Sequence, residues 1–207
     1  MPNSAGDTDL LLERAGRGDR AAVNQLLLRH RSRLRTMVKL RLHPRLAARF
    51  DPSDIVQETL LEAHRQLAGY LRDRPLPFYP WLRQIAWQQL VHQQQKHRFA
   101  QKRSVHREEV VDPLLSDESL AVLAKRLCAA ESGPVRHVLR AERLSRVREA
   151  LLKLSEIDRE VLILRYMEQL PFADIGAVLH LGESAVLMRH LRALKRLRPL
   201  LENSGEG

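Results

Sequence analysis

Apolar residues recur along most of this chain at intervals of three and four, the spacing that lines one face of a helix. The first such stripe is Leu26, Leu27, His30, Leu34, Val38 and Leu42, with Pro44 as the expected terminator. Asp51-Pro52-Ser53-Asp54 reads as an N-cap, a proline in the first helical position and an acid in the first turn, so a helix is expected from there to about Leu67. Another is expected from near Pro80 through Trp81, Ile85 and Leu90 towards a basic segment ending at Arg107. Leu120, Leu123 and Leu127 are spaced for one short helix, and periodicity resumes at about Arg140. Leu144, Val147, Leu151 and Leu154, then Val161, Leu162 and Leu164, predict two short helices split at Ser155-Glu156. A second pair follows, Phe172 to Leu179 and Glu183 to Leu197, joined by His180-Leu181-Gly182. β-Branched residues are sparse and Leu, Arg, Ala, Gln and Glu dominate, so the expected fold class is all-α.

Charge divides this helical chain into blocks. The 207 residues carry 35 Lys plus Arg against 25 Asp plus Glu, a formal charge of +10 that points to a polyanionic partner. From Arg29 to Arg49 and again from Arg74 to Arg107 there are bases and no acids, whereas Asp51 to Asp73 is mainly acidic. Glu108 to Glu131 turns acidic again and leads to Gly133-Pro134, which marks a linker between two small helical domains. The single cysteine, Cys128, excludes an internal disulfide and a Cys-cluster zinc site. No apolar run approaches the roughly 18 residues needed to span a bilayer, and Met1 to Asp9 lacks a signal-peptide core, so the chain reads as cytoplasmic.

The last helical pair has helix-turn-helix spacing. Ile175, Leu179, Leu181, Val186 and Leu191 are expected to form its apolar hub. Ser184, Leu187, Met188, Arg189, Arg192, Lys195 and Arg196 then face outward, with cations for phosphates and the early positions for base edges. A solvated basic helix in a bundle would have the same charges. His180 stands where a left-handed residue is wanted, a region histidine tolerates better than most.

Seven of the nine aromatic residues fall between Phe50 and Phe99, among glutamines, histidines and arginines. Trp81, with Leu82 and Ile85, reads as bundle core; Trp87 fits core or a base-stacking surface. Arg83, Trp87, Gln88, Gln89, His92, Gln95 and Lys96 combine a ring face, amides and cations, which suits single-stranded nucleic acid. Asp54, Glu58 and Glu62 follow i, i+4, i+8 spacing beside Gln57, an acidic stripe in a basic protein. Asp54 and Glu58 lack a basic i+4 partner, which mildly favours an external cationic surface over internal pairing, but taken by itself the stripe reads more readily as a solvated helix face.

Together these parts resemble the bacterial extracytoplasmic function (ECF) sigma factors of the sigma-70 family. Asp54-Ile-Val-Gln-Glu-Thr-Leu-Leu-Glu62 is similar to the family's region 2.2, and Trp81-Leu-Arg-Gln-Ile-Ala86 to the start of its promoter-opening helix. Asp158-Arg-Glu-Val-Leu-Ile-Leu-Arg-Tyr166 looks like region 4.1, and Phe172 onward like region 4.2. The resemblance implies a region 2 bundle over residues 8–107, a linker over 108–139 and a region 4 helix-turn-helix over 140–201. It implies that Asp54, Gln57, Glu58 and Glu62 dock on core RNA polymerase. It also implies that the helix from Trp81 to Gln95 opens the minus-ten promoter element and that Glu183 to Arg196 reads the minus-thirty-five duplex. Many family members are held by an anti-sigma factor, although nothing in these residues names one. The family's usual pattern has Asn at the position of Gln88, Asp at His92, a basic residue at Leu187 and a serine N-cap at Gly182.

Two rivals remain at this stage. A helix-turn-helix regulator that never engages polymerase would leave the acidic stripe unexplained. A metal-dependent nuclease is prompted by nine histidines, but they are scattered, and no His-Glu-x-x-His, Gly-rich phosphate loop or nucleophile elbow appears. No enzymatic activity, metal or cofactor is expected. The segment from Glu108 to Arg140 would average roughly 30 Å end to end if flexible and reach roughly 110 Å extended. Promoter elements about 20 base pairs apart are separated by roughly 70 Å at 3.4 Å per pair, so the free chain is expected to bind promoter duplex weakly until polymerase orders both domains.

Overall fold

The computed structural model describes residues 4–42, 51–102, 117–132 and 141–202. Every regular element among them is helical, and the chain divides into two compact units, Met1–Leu114 and Leu115–Gly207.

Four helices build the first unit. α1 (Ser4–Gly16) turns at Gly18, whose φ of 86° is a conformation that glycine adopts without Cβ strain. Asp19 then caps α2 (Arg20–Arg41), accepting from the backbone N–H of Ala21 and Ala22 while Arg14 holds its other oxygen at 2.7 Å. Every residue of the expected stripe, Leu26, Leu27, His30, Leu34, Val38 and Leu42, is buried. α2 stops at Arg41; Pro44 lies outside the described residues. Asp51 caps α3 (Pro52–Asp73) as expected, its carboxylate accepting from the Ser53 N–H at 2.8 Å.

α3 runs six residues past Leu67 because its apolar face continues to Tyr70. That ring stacks on Trp81 at 4.4 Å between centroids, and its hydroxyl donates to the Leu76 carbonyl at 3.1 Å. Burial of both rings against each other rewards the extra turn. α4 (Phe78–Lys102) starts two residues before Pro80, which sits in the first turn, where a missing N–H leaves no intrahelical bond unmade. Trp81, Leu82, Ile85, Ala86 and Leu90 close the core between α2, α3 and α4.

The second unit begins inside the stretch expected to be linker. α5 (Asp117–Ser132) buries Leu120, Leu123, Ala124, Leu127 and Cys128 and packs on α6 (Ala141–Leu152), α7 (Glu156–Tyr166) and α9 (Glu183–Glu202). Its 16 residues are therefore folded rather than available as tether, which shortens the reach calculated above. Residues 103–116 and 133–140 lie outside the described residues. The break between α6 and α7 falls at Ser155, whose hydroxyl accepts from the Asp158 N–H at 3.2 Å. α8 (Phe172–Leu179) ends where expected, and α9 continues five residues beyond Leu197.

Candidate nucleic-acid interface

In the second unit, the α8-α9 turn depends on two residues. His180 adopts φ 55° and ψ 42° and donates its N–H to the Gly176 carbonyl, which also accepts from Leu181 at 2.9 Å. A Cβ on Gly176 would lie 2.6 Å from the Leu181 carbonyl oxygen, so only glycine lets the helix and the turn approach this closely. The Gly182 carbonyl then accepts from Val186 at 3.1 Å and opens α9.

α9 buries Val186, His190, Ala193 and Leu197, one face at helical spacing. This corrects the expected hub in one place. Leu191 is 50 % exposed, and His190 occupies the core instead, because that register puts its ring between Tyr166 (5.7 Å) and Phe172 (5.1 Å). Its Nε2 meets the Tyr166 hydroxyl at 3.2 Å, and burial, reinforced by the Arg165 charge, lowers its pKa. Ile175 is buried as expected, while Leu179 and Leu181 are half-buried.

The outward side of α9 carries Ser184, Leu187, Met188, Leu191, Arg192, Lys195 and Arg196, all exposed. Arg189 is different: its guanidinium donates to the Asp158 carboxylate at 3.0 Å and ties the helix to α7. Burial pushes the Asp158 carboxyl up, but hydrogen bonds from Arg189 and Ser155 outweigh it and hold the group below its ordinary range. Arg192 turns back to the Met188 carbonyl at 3.2 Å. Beneath this pair, buried Arg159 donates to the carbonyls of Leu151, Leu152 and Leu154, satisfying the orphan groups at the end of α6.

In the first unit, Gln84, Gln88, His92 and Gln95 form one exposed stripe along α4, with Gln89 half-buried beside it. Arg83 is only 6 % exposed, so its side chain offers little surface to a ligand; its guanidinium lies 6.0 Å from the centre of the half-buried Trp87 ring. Arg41, at the end of α2, lies 5.3 Å from the same ring. Sequence reasoning missed Arg41, since its only signal was a base at the end of a stripe on another helix. Trp81 is core, and the Lys96 side chain lies outside the described residues. On α3, Asp54, Gln57 and Glu58 are exposed, with Leu61, at 61 % exposure, next in line. Glu58 accepts from Gln93 at 3.2 Å; Glu62 is half-buried and held by Arg65 and Gln66. Among the described residues no group of His, Cys, Asp and Glu could hold a metal ion, and no helix is long and apolar enough to cross a membrane.

Comparison with known proteins places the chain in a family. The family described as Sigma-70, region 4 matches residues 150–199, which span the end of α6 through most of α9. RNA polymerase sigma factor FliA of Yersinia enterocolitica is 44 % identical over 73 residues, but the match spans 35 % of this chain and about a third, 32 %, of FliA. RNA polymerase sigma-H factor of Pseudomonas aeruginosa is 30 % identical over 198 residues, covering 94 % of this chain and 95 % of that protein. RNA polymerase sigma factor CnrH of Cupriavidus metallidurans is 30 % identical over 199 residues, 95 % of each. The solved structure of CnrH in complex with the cytosolic domain of CnrY shares the fold, with a TM-score of 0.52 and 24 % identity over 96 % of this chain and 99 % of that one. The chain belongs to the RNA polymerase sigma factors, in the extracytoplasmic function branch of the sigma-70 family.

Proposed function

We propose that this chain binds core RNA polymerase and directs promoter-specific transcription initiation. The first unit, residues 8–107, would dock through Asp54, Gln57, Glu58 and Glu62 and open the minus-ten element along α4, with Trp87, Gln88, Gln89, His92, Gln95 and Lys96 meeting the unpaired strand. Arg83 would act there by supporting the Trp87 ring. Residues 140–201 would read the minus-thirty-five duplex through Ser184, Leu187, Met188, Arg192, Lys195 and Arg196, with Arg189 fixing the helix. Residues 108–139 would connect the two, with α5 inside that stretch packed on the second unit's helices.

The observation that carries this reading is the exposed α3 stripe. Asp54 and Glu58 stand in solvent without a cationic partner among the described residues, in a chain of net charge +10. A lone DNA-binding regulator has no use for such a surface, and it would repel the phosphates that the rest of the chain attracts. The chain acts, on this reading, as a regulatory subunit in the cytoplasm with no catalytic chemistry of its own. An anti-sigma factor belongs to the same proposal, since CnrH was solved with the cytosolic domain of CnrY on it.

Run-off transcription with purified core polymerase on pooled promoter fragments, with and without the chain, tests this. Defined new start sites that vanish with Asp54→Lys/Glu58→Lys are the expected result. Duplex binding without any association with core would return the chain to the regulator reading.

A further inference from the structure

Large apolar side chains on the water-facing side of a small soluble unit are costly unless something covers them. α9 exposes three together: Met188 (54 %), Leu191 (50 %) and Leu187 (40 %). Positions 184, 188, 191 and 195 run in one line opposite the buried 186, 190, 193 and 197, so Met188 and Leu191 occupy the centre of the outward face rather than its margin.

We propose that this strip reads thymine, by packing Met188 and Leu191, with Leu187 beside them, against 5-methyl groups in the major groove. The inference rests on α9 being the duplex-reading helix and names the chemistry it recognises. Three observations favour a duplex as the occupant. Every exposed ionisable side chain from Ser184 to Arg198 is basic, namely Arg192, Lys195, Arg196 and Arg198, so the apolar strip sits in a field that draws phosphates to either side. α9 contains no Asn or Gln, which removes the bidentate amide contact to adenine. An arginine otherwise suited to guanine, Arg189, is engaged within the fold by the Asp158 carboxylate. The thymine methyl is the one apolar group that the major groove presents, and apolar side chains are what recognise it.

Deoxyuridine tests this, because it pairs as thymidine does and lacks only the methyl. Duplexes bound by the full chain, alone and assembled with core polymerase, are selected from a random pool, and each thymine is then replaced singly by deoxyuridine. Affinity should fall about fourfold at one or two positions, the effect of losing one buried methyl. Met188→Ala and Leu191→Ala should bind thymine and uracil duplexes equally at those positions while keeping the salt dependence set by the cations. Both side chains are exposed, so the variants should melt with the parent.

Equal affinity of the unaltered chain for both duplexes, with salt-dependent binding intact, would overturn the thymine reading and leave the strip as a protein-docking surface. Equal weakening of both duplexes by the substitutions would overturn it as well. Failure to retain any duplex, with or without polymerase, would remove instead the assignment of α9 as the duplex-reading helix.

Discussion

The guanidinium of Arg189 lies 3.0 Å from the carboxylate of Asp158, joining the middle of α9 to the first turn of α7 with both side chains largely covered, at 30 % and 12 % exposure. Asp158 is itself fixed by Ser155. The pair therefore sets the angle at which α9 presents its outer face, and one cation of the basic helix serves the fold instead of a ligand.

Asp158→Asn should lower the stability of the second unit by about 1.5–3 kcal/mol at neutral pH, the usual worth of a hydrogen bond to a charged group. The folded-state pKa of Asp158 is depressed, so its contribution is complete above the ordinary carboxylate range and disappears as pH falls through the folded value. Melts of parent and variant should differ at pH 7 and converge towards pH 2. Equal melting at pH 7 would show that the bond contributes nothing.

Gly176→Ala should cost about 1–3 kcal/mol, because its Cβ meets the Leu181 carbonyl oxygen, a backbone atom that cannot step aside without opening the turn. Gly182→Ala is the control, with nothing within 4 Å of the added Cβ. Chemical denaturation of both variants checks the difference, and duplex binding should weaken only in the first.

His30 is buried against Phe78 and Tyr79, and desolvation, aided by the charges of Arg33 and Arg29, lowers its pKa to about 4. The unfolded chain takes up this proton near pH 6.5 and the folded chain does not, so stability falls as pH drops between about 6.5 and 4. The total loss is about 3 kcal/mol on the linkage slope of about 1.4 kcal/mol per pH unit. His30→Leu should flatten that part of the profile, and denaturant midpoints across pH 4 to 7 measure it.

Asp54→Lys/Glu58→Lys should reduce association with core polymerase about tenfold or more, since like charges then face the docking surface. Stability should change by less than about 0.5 kcal/mol, because both residues are exposed. A pull-down with core polymerase beside a thermal melt reads both. Loss of association accompanied by unfolding would remove the docking role from these two residues.

Helix positions were legible from the sequence wherever a local signal existed. Asp51 announced an N-cap, Ser155-Glu156 announced the break before α7, and the stripe from Leu26 to Leu42 announced the buried face of α2, because capping and amphipathic spacing act over one or two turns. α3 and α9 ran longer than expected because Tyr70 and the residues after Leu197 extend those helices past any local stop signal. Arg83 looked like a ligand-facing cation, yet its burial and approach to Trp87 depend on which side of α4 meets the rest of the bundle.

By itself, the sequence determined the all-helical class, the helix-turn-helix with its left-handed His180, the acidic stripe and the basic character of α9, all of which follow from residue type and spacing within single helices. Only the tertiary structure decided that His190 rather than Leu191 enters the core, that Arg189 binds Asp158, that Arg41 reaches Trp87 and that α5 packs with the C-terminal helices. The physical reason is common to all four. A helix with apolar residues on adjacent flanks can rotate by part of a turn at little local cost, and the partners that select one rotation lie on other helices.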